Sequence, residues 1–146
     1  MKIIQATRDM IPQILECAIE YTNDIPHIKL DGEHFIRTVE SLFDGGVGVI
    51  FLAVEDGRVI GGIGGIKYPN LLTGVVTLSE IFWYVKKGER GCGVRLYKQF
   101  ERYARENGCG NIMMAYLTCS MPEELKQFYI REGYTLTEMH FEKELI

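Results

Sequence analysis

The sequence predicts a mixed α/β domain, because β-rich apolar segments alternate along the chain with segments whose apolar residues recur at helical spacing. The chain has 146 residues, of which 47% are hydrophobic and 25% are charged. These values are typical of a globular domain and exclude wholesale disorder. No internal repeat or low-complexity linker interrupts the pattern, so we expect a single domain over residues 1–146.

The first part of the chain predicts one strand followed by two helices. Residues 2–6 are rich in β-branched and apolar side chains and form the first strand. Thr7 is a candidate N-cap for the first helix, and Asp31 is a candidate N-cap for the second. Gly45 and Gly46 then provide a stop signal for the second helix.

Three strands follow, and two further helices lie beyond them. Asp56 and Gly57 predict a tight hairpin turn between strands over 48–55 and 58–67, and a long central strand covers 75–85. The order is therefore β-α-α-β-β-β-α-β-α-β, with four helices. The remaining segments are a helix from Val94 ended by Gly108, a strand over 111–117, a helix opened by Pro122 and ended by Gly133, and one or two strands over 134–145.

Composition and charge argue against several classes of protein. The longest apolar run, residues 47–54, is far shorter than the ~20 residues of a membrane helix, and the N-terminus turns polar too early for a signal peptide. The four cysteines are isolated and the three histidines are scattered, which favours free thiols and no metal site. The net charge of −4 argues against a general nucleic-acid binder. We therefore expect a cytoplasmic protein with no membrane or nucleic-acid partner.

Positive charge is concentrated in one segment. Residues 86–105 contain seven Lys or Arg and two Glu, a net of +5, so the other residues carry a net of −9. This distribution suggests a local anion site, although a surface helix rich in Lys and Arg would give the same pattern.

A glycine-spaced loop lies at the start of this basic segment, between a strand and a helix. Glycines allow close backbone approach to a ligand, and a helix N-terminus favours bound anions such as phosphate. A tight turn that uses glycine for geometry alone is the other interpretation. The sequence lacks the Gly-Lys-Ser/Thr of a Walker motif and matches a dinucleotide fingerprint poorly. The residues of this glycine loop are Gly88, Glu89, Arg90, Gly91, Cys92 and Gly93.

Residues 90–108 resemble the acetyl-CoA-binding segment of the GNAT family of N-acetyltransferases, in which a Gln/Arg-x-x-Gly-x-Gly/Ala loop opens a helix. Residues 128–134 resemble the family's Tyr-x-x-x-Gly-Phe/Tyr motif, about 40 residues further on. The order of elements matches as well, so the resemblance covers nearly the whole chain. It implies a mixed, mostly antiparallel sheet of six to seven strands flanked by about four helices.

The resemblance implies an enzyme that moves an acetyl group from acetyl-CoA to an amine by direct attack in a ternary complex. It also implies a set of residues for the acyl donor. Backbone groups of the fourth strand would contact the pantetheine arm and polarise the thioester carbonyl, and the glycine loop with the start of its helix would bind the pyrophosphate. These residues are Trp83, Tyr84, Val85, Gly88, Glu89, Arg90, Gly91, Cys92, Gly93, Val94 and Arg95.

Two side chains are the candidate catalytic groups. Glu80 lies within an otherwise apolar strand, where burial of a carboxylate is costly unless it is paired or used, and it is the candidate general base. A carboxylate at a solvated strand edge, or in a structural ion pair, is the alternative. Tyr129 is the candidate general acid, because a phenol with an ordinary pKa of ~10 stays protonated and can donate to the leaving thiolate. Its alternative is a core aromatic beside Phe128.

The chain departs from the family pattern at three positions. Gly88 stands where the family usually has Gln or Arg, and the connection from Val85 to Gly91 is about two residues shorter than usual. Pro122 replaces an Asn of many members. Gly88 and the short connection support a rival interpretation, a catalytically silent acyl-CoA-binding or sensing module. An unrelated nucleotide-binding domain would leave the motif at 128–134 unexplained.

The acceptor is an amine on a small molecule or a peptide. The resemblance implies that the first two helices, the loop between them and the sixth-to-seventh strand region bind the acceptor. Four acidic residues near that entrance favour a cationic amine over an anionic acceptor. Homodimers are common in the family, and the resemblance allows one here. The acidic residues are Asp24, Asp31, Glu33 and Glu40.

Overall fold

Five strands form one sheet in chain order. The first strand pairs antiparallel with the second, the second with the third and the third with the fourth. The fourth and fifth strands are parallel to each other. The strands are β1 (Lys2–Gln5), β2 (Gly48–Glu55), β3 (Arg58–Pro69), β4 (Val76–Val85) and β5 (Asn111–Met113).

The described part of the chain contains four α-helices. The computed structural model describes residues 1–25, 27–89, 91–116 and 121–146. The chain divides into two compact units, Met1–Ala115 and Tyr116–Ile146, and α4 belongs to the second. No helix in the described part of the chain is long and apolar enough to span a membrane. The helices are α1 (Ile11–Asn23), α2 (Gly32–Gly45), α3 (Cys92–Glu106) and α4 (Pro122–Arg131).

Strand β2 is buried on both faces, which explains its uninterrupted apolar sequence. Val49, Phe51 and Ala53 belong to a core cluster with residues of α3. Ile50 and Leu52 belong to a second cluster with residues of α1 and α2. Because successive side chains of a strand point to opposite faces, α3 covers one face of the sheet and α1 with α2 covers the other.

Glycines of β3 allow aromatic rings to lie directly against the sheet. A Cβ atom at Gly64 would lie 2.3 Å from the ring of Phe82. A Cβ atom at Gly65 would lie 2.6 Å from the ring of Phe100 and 2.7 Å from the carbonyl oxygen of Ser79. Any larger residue at either position would displace a ring or the neighbouring strand, so these glycines are a packing requirement.

Strand β4 contains a β-bulge at Ile81. Gly64 of β3 is opposite Phe82, and the next residue, Gly65, is opposite Glu80, so Ile81 is an extra residue on β4. Side-chain packing shows the same shift, because Leu78 and Trp83 both pack on the α3 side of the sheet. Phe82 packs on the other side.

The turn and cap predictions have different outcomes. The hairpin turn is confirmed, since Asp56 and Gly57 have φ angles of 50° and 75°, both in the left-handed region. The Asp31 cap is also confirmed, because its carboxylate accepts a hydrogen bond of 3.0 Å from the His34 backbone N–H at the start of α2. The Thr7 cap is wrong. Its hydroxyl donates to Asp9, and a short 3₁₀ helix precedes α1.

The helices α3 and α4 lie close to their predicted positions. Helix α3 begins at Cys92, two residues earlier than the predicted Val94, and Gly108 follows its end with a φ of 73°. Helix α4 begins at Pro122 as predicted. Proline fits there because the first turn of a helix has no intrahelical acceptor for its N–H groups.

The predicted six or seven strands are wrong for the described residues, which contain five. Strand β5 ends at Met113 and not at Leu117, a residue outside the described part of the chain. Residues 134–145 form no strand, and Leu136 and Phe141 are 73% and 93% exposed. Alternating apolar residues predicted strands here, but a strand needs a partner for its main-chain groups. The described residues of Tyr116–Ile146 supply none.

Candidate functional site

The Glu80 carboxylate lies where β4 and β5 stop pairing. The ladder between these strands ends at Ser79 and Met113, whereas β4 continues to Val85. Beyond the ladder, the backbone N–H of Ala115 donates a 2.9 Å hydrogen bond to Oε2 of Glu80. A side chain therefore accepts a main-chain N–H just past the point where the backbone ladder stops, and it joins the two chain segments there.

Burial raises the pKa of Glu80 to about 7, and the hydrogen bond from Ala115 opposes this shift in part. The side chain is half-buried, and its described hydrogen-bond partner is a main-chain N–H and not a basic side chain. A carboxyl group with this pKa is present in both protonation states near neutral pH. It can therefore accept a proton from a reacting group and release it again.

The glycine loop connects β4 to the N-terminus of α3. Gly88 and Gly91 have φ angles of 88° and 91°, in the region that favours glycine. The backbone N–H of Glu89 closes a turn by donating to the carbonyl oxygen of Lys86 at 3.0 Å. Gly91 is the N-cap of α3, so the cap offers no side-chain acceptor, and the first turn has no acidic residue. The free N–H groups of a helix start favour an anion.

The predicted donor-binding residues fall into two groups. On β4, Trp83 and Val85 pack with the α3 cluster, and Tyr84 points to the opposite face. At the start of α3, Cys92 is fully buried, so its side chain is part of the core, whereas Val94 and Arg95 are exposed. Gly93 lies tightly against Val85, since a Cβ there would be 3.3 Å from the valine side chain. Arg90 lies outside the described residues.

Two lysines that flank the glycine loop bind acidic residues of α1. Lys86 Nζ lies 2.9 Å from Glu20, and Lys87 Nζ lies 2.8 Å from Asp24. The hydroxyl of Tyr84 also donates to Glu20, at 3.3 Å. Burial and these acidic neighbours raise the pKa of Tyr84 to about 12, so the hydroxyl stays protonated. These contacts join the end of α1 to the end of β4.

The four acidic residues that suggested a cationic acceptor already have local roles. Besides Asp24, which pairs with Lys87, and Asp31, which caps α2, Glu33 lies 3.7 Å from Arg37 and Glu40 lies 3.4 Å from Arg8. Their charge is partly compensated within the protein, and the preference for a cationic amine stays a prediction.

Tyr129 lies on α4, in the second unit. It is 9% exposed, and its ring centroid lies 6.1 Å from that of Phe128 and 5.5 Å from that of Tyr134. The backbone N–H of Tyr134 donates to the carbonyl oxygen of Tyr129 at 2.9 Å. The aromatic-core interpretation is thus realised for the ring, and the catalytic role of the hydroxyl stays a prediction.

The sequence did not reveal the bulge at Ile81 or the N–H of Ala115 as a partner of Glu80. Backbone irregularity depends on the register of two strands, which is a tertiary property. The one local signal was the run of glycines on β3, because Gly64 and Gly65 lie opposite the bulged segment.

Comparison with known proteins identifies the family. The sequence profile of the acetyltransferase (GNAT) family matches residues 13–134. A search of curated proteins finds no match. The crystal structure of a probable acetyltransferase has a TM-score of 0.80 and 18% identity, covering 100% of this chain and 97% of that chain.

Two other similar structures are complexes with a ligand. A predicted acetyltransferase from Clostridium acetobutylicum with acetyl-CoA has a TM-score of 0.79 and 16% identity, covering 99% of this chain and 96% of that chain. An aminoglycoside acetyltransferase from an uncultured soil metagenomic sample, in complex with sisomicin, has a TM-score of 0.76 and 16% identity, with the same 99% and 96% coverage. At such identities the likeness shows a shared fold.

A mixed sheet with a parallel fifth strand, and a glycine loop that leads β4 into α3, define an acetyltransferase-like α/β fold. The chain belongs to the acetyltransferase (GNAT) family, a family of acyl-transfer enzymes.

Proposed function

We propose that this protein is an N-acetyltransferase that moves an acetyl group from acetyl-CoA to an amine by direct attack in a ternary complex. The observation that carries the proposal is the Glu80 carboxyl group, with a pKa of about 7, just past the end of the ladder between β4 and β5. A neutral amine nitrogen loses a proton as its bond to the carbonyl carbon forms, so a base must accept that proton. A carboxylate with this pKa is suited to that task at neutral pH.

The residues at the start of α3 fit the diphosphate of CoA. An N-cap without a side-chain acceptor, no acidic residue in the first turn, and glycines at positive φ leave main-chain N–H groups and partial positive charge for an anion. Lys87 is 84% exposed in its ion pair with Asp24, and an exposed ion pair contributes little to stability, so a phosphate can compete for the lysine. In this proposal the main chain of Trp83, Tyr84 and Val85 contacts the pantetheine arm.

The proton balance uses two side chains. Acetyl-CoA supplies the acetyl group as a thioester. A new C–N bond forms between the amine nitrogen and the acetyl carbon, and the C–S bond of the thioester breaks. Glu80 takes the proton lost by the amine, directly or through a water. Tyr129 gives its phenolic proton to the departing thiolate and recovers one from solvent. The similar aminoglycoside acetyltransferase is in complex with sisomicin, which supports a small-molecule amine as acceptor.

CoA is expected to stabilise the protein against heat, whereas NAD is not. A ligand at 100 times its Kd stabilises the folded state by about 2.7 kcal/mol, which raises Tm by about 5–10 °C for a protein of this size. Thermal scans with CoA, ATP and NAD check this expectation.

A matched pair of variants localises the CoA site. Gly91→Ala places a side chain at φ 91° in the glycine loop, and Gly74→Ala places one at φ 72° in a loop elsewhere. Gly91→Ala is expected to weaken CoA binding by tenfold or more. Gly74→Ala is expected to lower the stability of the fold through backbone strain without that loss of CoA binding. Protection by NAD alone would refute the acetyltransferase proposal. CoA binding without turnover of any amine would favour a binding module.

Tyr129→Phe is expected to lower kcat by about 100-fold and to leave the Kd for CoA within twofold, because general acids contribute about 10²–10⁴-fold. Tyr134→Phe removes a hydroxyl from the neighbouring ring and is the matched control. Steady-state kinetics and a CoA titration of both variants give the comparison. Equal turnover in the two variants would remove Tyr129 from the chemistry.

A further inference from the structure

A surface groove of about 360 Å³ lies between α3 and the edge strand β1. Ile3 of β1 forms one wall, and side chains along one side of α3 form the other. Three of these α3 side chains are cationic, and no carboxylate lines the groove within the part of the chain that the structure describes. The α3 residues are Val94, Arg95, Lys98, Gln99 and Arg102.

The positive charge of this groove is only partly compensated. The described ion pairs of α3 join Lys98 and Arg105 to Glu101, at 3.8 Å and 2.6 Å. Arg95 and Arg102 are exposed and have no carboxylate partner among the described residues. Lys98 and Arg102 are four residues apart, a spacing at which like charges on a helix destabilise each other. The groove therefore favours a ligand with several negative charges.

The wall formed by β1 is a free edge of the sheet. Strand β1 pairs with β2 and with no other described strand. The backbone N–H of Ala6 donates to the carbonyl oxygen of Ile50 at 2.8 Å, which continues the register of the two strands. Because main-chain groups of an antiparallel strand point alternately towards and away from its partner, those of Ile3 and Gln5 point away from β2. The edge therefore offers N–H and C=O groups to a further strand.

A strand added to this edge would direct alternate side chains at the groove. Ile3 packs with the α3 cluster, so its side chain lies on the α3 face of the sheet. Alternate side chains of a strand are about 6.8 Å apart, so two or three of them span about 7–14 Å. Arg95 and Arg102 are separated by two helical turns, or about 10.5 Å along the helix axis. The spacing of the cations thus fits acidic side chains at alternate positions of an extended segment.

We propose that this groove binds an acidic segment of a partner protein, which adds to the edge of β1 as an extended strand and directs alternate Asp or Glu side chains at the cations of α3. Main-chain hydrogen bonds give such a contact its affinity, and the side chains give it specificity. Strands β1 and β4 are three strand spacings apart, or about 14 Å, so the contact is separate from the Glu80 carboxylate and does not depend on acetyl transfer. A nucleic acid would match the charge but has no strand to pair with β1.

Binding of short labelled peptides to the full-length protein, measured by fluorescence anisotropy, tests the proposal. One peptide alternates Thr and Glu, and its control has the same composition with the Glu residues in one block. We expect the alternating peptide to bind at least tenfold more tightly, because its acidic side chains all lie on one face when it is extended. Its affinity should fall as ionic strength rises from about 0.05 M to about 0.3 M, because salt screens exposed charges.

Two pairs of variants locate the contact. Arg102→Glu reverses one charge of the groove and is expected to weaken binding of the alternating peptide at least tenfold. Arg37→Glu makes the same change at an exposed position of α2 and should leave the affinity within twofold. Gln5→Pro removes an outward N–H and keeps the hydrogen bonds to β2, whereas Gln5→Ala keeps that N–H. We expect a loss of tenfold or more for the proline variant and not for the alanine variant.

N-methylated peptides provide the same test without a change to the protein, in case Gln5→Pro does not fold. Methylation of every Glu nitrogen or of every Thr nitrogen blocks one edge of the extended peptide and leaves its charge unchanged. One of the two peptides should lose binding and the other should keep it, because only one edge faces β1. Equal binding of these two peptides, equal binding of the alternating and block peptides, or unchanged affinity in Arg102→Glu would each overturn the proposal. Tighter binding of a single-stranded oligonucleotide than of the alternating peptide would also overturn it.

Discussion

Replacing Glu80 with glutamine is expected to lower kcat/KM for amine acetylation by about 10²–10⁴-fold, the usual contribution of a general base. The amide keeps a carbonyl oxygen that can accept the hydrogen bond from the Ala115 N–H, so the separation of β4 and β5 is preserved. What the substitution removes is the group that can take a proton near neutral pH. The loss is therefore expected in chemistry, with the Kd for CoA within twofold of the parent.

The pH dependence of the parent enzyme gives a sharper readout. Because the pKa of Glu80 is about 7, kcat/KM should rise with pH up to about 7 and then level off. An acceptor amine also titrates, so the measurement uses a weakly basic fluorinated amine that is already neutral across the scanned range. With this acceptor, Glu80→Gln should lose the rising limb. Glu106→Gln, an exposed position of α3, is the matched control and should keep both the rate and the limb.

A Glu80→Gln profile with the same rising limb as the parent would place the base elsewhere. A fall in CoA affinity that matches the fall in kcat/KM would instead give Glu80 a structural role, in which its contact with Ala115 shapes the donor site. The two outcomes can be distinguished, because the first is read from the pH dependence of the rate and the second from the affinity for CoA.

Much of the donor-binding loop was predictable from sequence because its conformation depends on residues that are close together in the chain. A helix start after a glycine loop depends on backbone freedom at Gly88 and Gly91 and on the amphipathic pattern of α3, and both are visible in a short window. The candidate base was predictable for a similar reason, since Glu80 interrupts an apolar strand. The raised pKa of Glu80 was not predictable, because it arises from burial, which depends on the folded structure.

The errors also have a common physical origin. The tail over 134–145 has the alternation of a strand, but pairing requires a neighbour that no local pattern specifies. The bulge at Ile81 depends on the register of β4 against β3. The partners of the acidic residues in the acceptor region were likewise not predictable, because charge in a sequence does not reveal ion pairing such as that of Asp24 with Lys87.

The folded protein is expected to lose stability as pH rises from about 4.5 to about 7, because of Glu80. Its pKa is about 7 in the folded state against an ordinary value of 4.5, so the folded state binds more protons than the unfolded state across this window. The cost is absent below the window and complete above it. This destabilisation of the folded state amounts to about 1–3 kcal/mol. The upper figure is the free energy that corresponds to the full pKa difference, and the half-buried position of the side chain reduces it.

Glu80→Gln carries no titrating group at this position and should escape that cost. Urea unfolding at pH 5 and pH 8.5 should show the variant gaining about 1–3 kcal/mol on the parent between the two conditions, whereas Glu106→Gln should follow the parent. Parallel curves for parent and Glu80→Gln would mean that the pKa is not raised in solution. A variant that is more stable at high pH and yet inactive would show that the burial that prepares this carboxyl for proton transfer also destabilises the fold, as expected of a group retained for chemistry.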